Sequence, residues 1–163
     1  METVAEAEAW VEIPVGCSHV VKVDRADVEL VAGRKWVVAA NAQCRYAVTM
    51  LDRRWKPMHR LLLSPRKGEV VDHINGDGLD NRRANLRICG HTQNLWNSRK
   101  HCKSSSIYKG VTWCKRNGGR WIAKLNANNM RVYGGAFKDE VEAAKCYDQL
   151  ARKHFGEFAK TNF

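Results

Sequence analysis

The sequence predicts an α+β protein, and three observations carry that prediction. The first third of the chain is broken into short β-branched runs separated by turn residues. The last third sets three further strand-like runs ahead of a single stretch of helical periodicity. Finally, 44% hydrophobic and 28% charged residues with only three prolines make a globular rather than a disordered composition. At 163 residues the chain holds one domain of ordinary size or two small ones.

From Trp10 to about Leu51 the runs Val11-Glu12-Ile13, Val20-Val21-Lys22-Val23, Trp36-Val37-Val38 and Tyr46-Ala47-Val48-Thr49 are rich in residues that favour pleated backbone. Gly16 and Asn41 fall between them as turn residues, so a small N-terminal antiparallel sheet is expected. Asp24 to Val31 fits one short helix, and Met58 to Leu63 another, stopped by Ser64-Pro65. Residues 97–106, polar, basic and ended by three serines, read as a linker between a first module, 1–96, and a second, 107–163. Beyond it, Ile107 to Cys114, Arg120 to Asn126 and Met130 to Phe137 are strand-like, with hairpin chemistry at Asn117-Gly118-Gly119 and Asn128-Asn129. Asp139-x-x-Glu142 forms a capping box. Ala143, Ala144, Tyr147, Leu150, Ala151 and His154 then repeat at helical spacing until Gly156. This predicts a three-stranded antiparallel sheet packed on one helix, since such a sheet needs a covered face.

Charge is concentrated rather than spread. The chain carries 28 Lys and Arg against 17 Asp and Glu, a formal net charge of +11. Residues 1–50 hold five basic and seven acidic side chains, residues 51–136 eighteen and five, and residues 137–163 five and five. The central block interleaves its cations with Trp55, Trp96, Tyr108, Trp113, Trp121 and Tyr133. Cations that neutralise phosphates beside aromatics that pack on sugars or bases are the footprint of a nucleic-acid surface; a solvated basic face has the same composition.

Six cysteines, Cys17, Cys44, Cys89, Cys102, Cys114 and Cys146, lie far apart without a Cys-x-x-Cys pair, so reduced thiols are expected. Cys89, His91, His101 and Cys102 match no standard zinc spacing, and zinc is not expected there. No apolar run approaches the roughly 18 residues of a membrane span, and the start, Met1-Glu2-Thr3-Val4-Ala5-Glu6, is acidic where a targeting peptide would be basic. A cytoplasmic protein without membrane contact is expected.

The densest chemistry lies in Val70-Val71-Asp72-His73-Ile74-Asn75-Gly76-Asp77-Gly78-Leu79-Asp80-Asn81-Arg82-Arg83-Ala84-Asn85-Leu86-Arg87, followed by Gln93-Asn94 and Asn97. This segment resembles the H-N-H nucleases. The resemblance implies a ββα-metal finger over about 69–99: a strand ending in Asp-His, a loop, a second strand, and a helix that returns a metal ligand. Position by position it implies His73 as general base, Asn85 as the residue tying the loop, and Asp72 with Asn94 as metal ligands. Asn97, three residues on, is the alternative to Asn94. A histidine base suits phosphodiester hydrolysis near neutral pH. Carboxylate and amide oxygens suit one hard divalent ion, Mg2+ or Mn2+, over zinc. Adjacent strand residues face opposite sides, so Asp72 and His73 serve one site only if the strand ends there. His59 and Arg60 resemble a His-Arg pair upstream of this motif in such enzymes; core packing with a solvated Arg is the equal alternative. Arg60, Arg82, Arg83 and Arg87 are candidate phosphate contacts.

The second module carries Tyr108-Lys109-Gly110-Val111, Trp121-Ile122-Ala123-Lys124-Leu125, Arg131-Val132-Tyr133-Gly134-Gly135-Ala136-Phe137, Glu142-Ala143-Ala144-Lys145-Cys146-Tyr147-Asp148 and Thr161-Asn162-Phe163. It looks like the plant APETALA or ethylene-response-factor type of DNA-binding domain over 107–163. The resemblance implies a sheet lying in the major groove with the helix behind it. It places Lys109, Thr112, Cys114, Lys124, Asn126, Arg131 and Tyr133 on the DNA-facing side, with Lys115, Arg116 and Arg120 around the first hairpin. Thr112, Cys114 and Asn126 cannot make the bidentate guanine contact of Arg, so the plant domains' sequence preference does not carry over. One of Trp113 and Trp121 is expected to pack against the helix.

Together these readings predict an H-N-H homing endonuclease of phage or bacterial origin. It would be metal-dependent, would act on double-stranded DNA and would nick one strand without needing to oligomerise. A DNA-binding regulator with an inactive finger and a restriction-type nuclease are the alternatives.

Overall fold

The computed structural model describes residues 9–40, 44–100, 104–116, 118–128 and 130–163. The acidic start, the turn positions Asn41, Asn117 and Asn129, and His101 and Cys102 of the cysteine-histidine group lie outside the described residues. The fold is α+β, as predicted, and its contacts form two units, Met1–His91 and Thr92–Phe163. No helix is long and apolar enough to cross a membrane among the described residues.

The first unit opens on a hairpin of β1 (Trp10–Val15) and β2 (His19–Asp24). A 3-10 turn, Arg25–Asp27, and a short helix α1 (Val28–Val31) follow, where one helix was expected. Strands β3 (Val37–Ala40), β4 (Arg45–Leu51) and β5 (Arg54–Pro57) form a separate antiparallel sheet. The expected single N-terminal sheet is thus two, and β5 is an addition. Helix α2 (Met58–Leu63) has the predicted bounds and ends on Ser64 in the left-handed region before Pro65. Then β6 (Val70–His73) pairs antiparallel with β7 (Leu86–Cys89), His73 facing Leu86 and Asp72 facing Arg87. The core holds Val15, Val21, Val23, Val31, Trp36, Ala47, Met58, Leu62, Val71 and Leu86. Trp36 satisfies its buried indole N–H on the Val31 carbonyl at 2.9 Å.

The second unit begins within α3 (His91–Asn97). Its sheet has the order β10-β9-β8, built from β8 (Val111–Cys114), β9 (Arg120–Ala127) and β10 (Met130–Phe137). Behind it lies α4 (Glu140–Phe155); Asp139 accepts a hydrogen bond from the Glu142 N–H at 2.9 Å, which is the predicted cap, and Gly156 ends the helix. Val111, Ala123, Leu125, Ala127, Ala143, Ala144, Tyr147, Ala151 and Phe155 form its core. Gly110 has φ +74° and a Cβ there would strike the Tyr147 ring, so only glycine fits.

The serines assigned to the linker are engaged in structure: Ser105 Oγ accepts from the Trp113 N–H at 2.7 Å and Ser106 Oγ from the Tyr108 N–H at 2.9 Å. The chain's last residues are a clamp. Asn162 exchanges hydrogen bonds with both backbone groups of Lys109, and Asp148, 1% exposed, accepts from Asn162 N, Asn162 Nδ2 and Phe163 N.

Candidate functional site

Strand β6 ends at His73, as a site using both Asp72 and His73 requires. The chain turns there, with Gly76 N–H donating to the His73 carbonyl at 2.8 Å and Gly76 at φ +73°. Both side chains are buried. Asp72 takes the Arg87 guanidinium, Nε to Oδ2 at 2.9 Å. His73 lies among rings: His59 stands edge-on at 4.9 Å between centroids and Tyr46 at 5.7 Å, while Tyr46 and His59 are 5.3 Å apart.

Electrostatics follow from burial. Desolvation pulls His73 below the ordinary histidine value, outweighing its hydrogen bond with Asn81 and the charges of Asp72, Asp77 and Asp80, which act the other way. Desolvation, with the nearby His73 and Arg60, lowers His59 to about 3. Burial also raises Tyr46 to about 12, helped by Cys44 and the Asp72 charge. Near neutral pH all three rings are uncharged. A neutral imidazole is the form that accepts a proton.

The loop from 74 to 85 is held by its own polar side chains. Asn85, 8% exposed, accepts from the Asn75 N–H at 3.0 Å and donates to Asn75 Oδ1 at 3.1 Å and to the Asp80 carbonyl at 2.8 Å. It touches loop rather than any reacting group, so Asn85 is a positioning residue. Asp77 and Asn75 close tight local turns. The loop docks on the edge of β2 through Lys22 N–H to Leu79 O and Asn81 N–H to Lys22 O. Gly78 passes so close to the Arg45 carbonyl and the Tyr46 ring that no Cβ fits.

Three of the arginines expected at phosphates each meet a carboxylate. Arg82 is bidentate on Asp80, at 2.8 and 2.7 Å, and its guanidinium sits 5.3 Å from the Trp10 ring centre. Arg83 is bidentate on the buried Asp27, at 2.7 and 2.8 Å, and its N–H donates to Asp24. Arg87 holds Asp72. Each guanidinium already carries a carboxylate: Arg82 and Arg83 brace the loop, and Arg87 ties β7 to β6. Arg60 is exposed and donates to the Glu69 carbonyl at 3.4 Å.

In the second unit, strand register sorts the candidates. Ala123, Leu125 and Ala127 face α4, so their neighbours Ile122, Lys124 and Asn126 lie on the opposite face. Cross-strand pairing puts Arg131 beside Asn126, Tyr133 beside Lys124, Thr112 beside Ile122 and Cys114 beside Arg120 on that same face. Arg131 and Tyr133 are exposed. Lys115 and Arg116 are exposed just past β8. Lys109 departs from the expectation: its Nζ donates to the Trp96 and Ser98 carbonyls, both at 2.6 Å, and burial lowers it to about 8. It anchors the end of α3, where Trp96 stacks on Phe155 at 4.6 Å. Trp113 and Trp121 both lie on the helix side, in edge contact at 4.9 Å; Trp121 joins the core and Trp113 stays exposed. On α3 itself Asn94 is half-buried and Asn97 buried.

Sequence reading missed Tyr46, which no local motif marks. It also gave no partners for the arginines, because Asp27 lies 56 residues from Arg83. Among the described residues no three His, Cys, Asp or Glu side chains group into a metal cage.

Comparison with known proteins adds independent similarity. Residues 64–95 match the HNH endonuclease family. A stretch of 61 residues is 43% identical to an AP2/ERF and B3 domain-containing protein of Oryza sativa subsp. japonica, over 37% of this chain and 16% of that protein. Another alignment of 59 residues is 44% identical to the AP2/ERF and B3 domain-containing transcription repressor TEM1 of Arabidopsis thaliana, over 36% of this chain and 16% of that protein. Protein 3.8 of Escherichia phage T7 is 28% identical over 94 residues, covering 58% of this chain and 76% of that protein. The chain thus spans about a sixth of the length of these two plant relatives. No solved structure matches it.

Proposed function

We propose that this chain is a site-specific, divalent-metal-dependent DNA endonuclease of the homing type, which hydrolyses phosphodiester bonds in double-stranded DNA. The observation that carries this reading is the buried, neutral His73 at the end of β6, next to Asp72 and on a loop tied by Asn85. All three residues fall within the span that matches the HNH endonuclease family.

His73 would take the proton of the attacking water. Asn85 and the ion-paired arginines hold the loop so that the imidazole does not drift. The donors at hand are a carboxylate, Asp72, and amide oxygens, a set that suits a hard cation such as Mg2+ or Mn2+. On the sequence reading Asn94 is its second protein ligand and Asn97 the alternative. Such an ion, when bound, supplies Lewis-acid stabilisation of the phosphate and of the leaving oxygen. The face of the second unit that carries Lys124, Asn126, Arg131 and Tyr133 would hold the duplex. With one such centre per chain, a monomer would nick one strand. Similarity to a phage protein supports a phage or bacterial origin.

A second reading, a DNA-binding regulator that keeps the finger as a scaffold, is favoured by one fact: Asp72 already carries the Arg87 guanidinium. Supercoiled plasmid containing the cognate site, incubated with Mg2+ or Mn2+, separates the two. The nuclease converts it to the open circle, and His73→Ala loses that activity while still binding. Intact plasmid with bound protein would establish the regulator. Full cleavage by His73→Ala would overturn the proposed base.

A further inference from the structure

A nuclease must grip phosphates beside the bond it cuts, and Arg82, Arg83 and Arg87 each already carry a carboxylate, on Asp80, Asp27 and Asp72. The same unit holds another group of cations. Arg34 and Lys35 are exposed between α1 and β3, and Arg53 and Arg54 are exposed at the β4–β5 turn. Among the described residues none of these four has an ion-pair partner. Beside Arg34 and Lys35 lies a groove of about 490 Å³, whose lining includes Arg34, Lys35, Val37, Met50 and Trp55, with no acidic side chain in its wall. Trp55 and Met50 are direct cross-strand partners on one face and are 58% and 52% exposed.

Leaving a tryptophan and a methionine side by side in water is unfavourable and marks a contact surface. The cations on its rim select a polyanion over an ordinary protein partner. A flat ring beside two cations suits a nucleic-acid strand, whose bases or sugars stack while its phosphates pair. We propose that the open end of the β3–β4–β5 sheet is a second DNA-contact surface, on the nuclease unit itself. Trp55 and Met50 pack on a base or sugar there, while Arg34 and Lys35 bind phosphates. The proposal rests on the DNA-endonuclease reading and extends it, since a grip on both units fixes the duplex relative to His73 better than the second unit alone.

The full chain, titrated with a long mixed-sequence duplex over a range of salt, tests it. Arg34→Glu combined with Lys35→Glu should weaken binding at least tenfold and flatten the dependence of log affinity on log salt by about two. Trp55→Ala should weaken binding about tenfold with the slope unchanged. Trp55 is exposed, so circular dichroism of both variants should match the wild type. DNA should also quench a fluorescence component that disappears in Trp55→Phe. Wild-type affinity and slope in both variants overturn the surface while leaving the nuclease reading intact. Wild-type DNA binding with altered sedimentation in the variants assigns the patch to self-association and also overturns it. If the wild-type chain itself binds no DNA, the functional reading falls, and this surface with it.

Discussion

Arg87 and Asp72 face each other on one rung of the β6–β7 ladder, with Arg87 Nη2 and Nε both on Asp72 Oδ2, at 2.8 and 2.9 Å. The two side chains are 13% and 6% exposed, so solvent screens the pair little. Removing one partner of a buried pair leaves the other charge uncompensated. Arg87→Ala should therefore destabilise the first unit by about 3–5 kcal/mol, and plasmid nicking should fall because the guanidinium that holds Asp72 is gone. Arg87→Lys keeps the charge but loses the fork, and should lose less. Urea unfolding and nicking rates check both, and a wild-type midpoint in Arg87→Ala would show the pair to be idle.

His59 makes the fold acid-sensitive. Its folded pKa, about 3, lies below the ordinary 6.5, because burial disfavours the imidazolium. Below about pH 6.5 the unfolded chain binds a proton that the folded chain refuses. The stability present above that pH is therefore lost as pH falls toward 3. His59→Phe fills the same space without a titrating group. Between about pH 7 and about pH 4.5 the wild type should lose roughly 2–3 kcal/mol more than this variant. Denaturation midpoints at the two pH values measure the difference, and parallel losses would remove His59 as the cause.

Regularity explains what was legible in the sequence. The Asp139–Glu142 cap, the alanine-rich stripe and Gly156 are local signals, and α4 follows them. The Asp-His strand end and the loop tie through Asn85 were legible because the motif is dense. Strand β5 was not, since its turn places Asp52 and Arg53 at φ +51° and +60° without a glycine to announce it. The partners of Arg82, Arg83 and Arg87 were hidden for a different reason. A cation's sequence position shows its charge but not the carboxylate it meets, and Lys109 shows the same for a helix end.

Asn162 fastens the second unit. Its side chain bonds Lys109 N–H and carbonyl, and it gives Asp148 two of its three donors. In Asn162→Ala the Nδ2 donor and both Lys109 bonds are lost while Asp148 stays buried. The unit should lose about 2–4 kcal/mol, the scale of a buried carboxylate left short of a partner plus two bonds. Thermal unfolding measures it. DNA affinity at low temperature should be retained, because Asn162 lies outside the sheet face; loss of affinity in a folded variant would place it at the interface instead.

The sheet face gives the most direct separation of charge from contact. Lys124 and Tyr133 are cross-strand partners, so they would meet the same short stretch of duplex. A phosphate contact acts through counterion release and a ring through packing. Lys124→Ala should weaken binding about tenfold at low salt and flatten the salt slope by about one, uniformly across sequences. Tyr133→Ala should weaken binding comparably with the slope unchanged. Because neither residue belongs to the His73 centre, nicking at saturating protein should survive in both. Loss of nicking with DNA fully bound would mean that this face also takes part in placing the scissile phosphate. An unchanged slope in Lys124→Ala would move the phosphate contact off Lys124, with the exposed Arg131 next on the neighbouring strand β10.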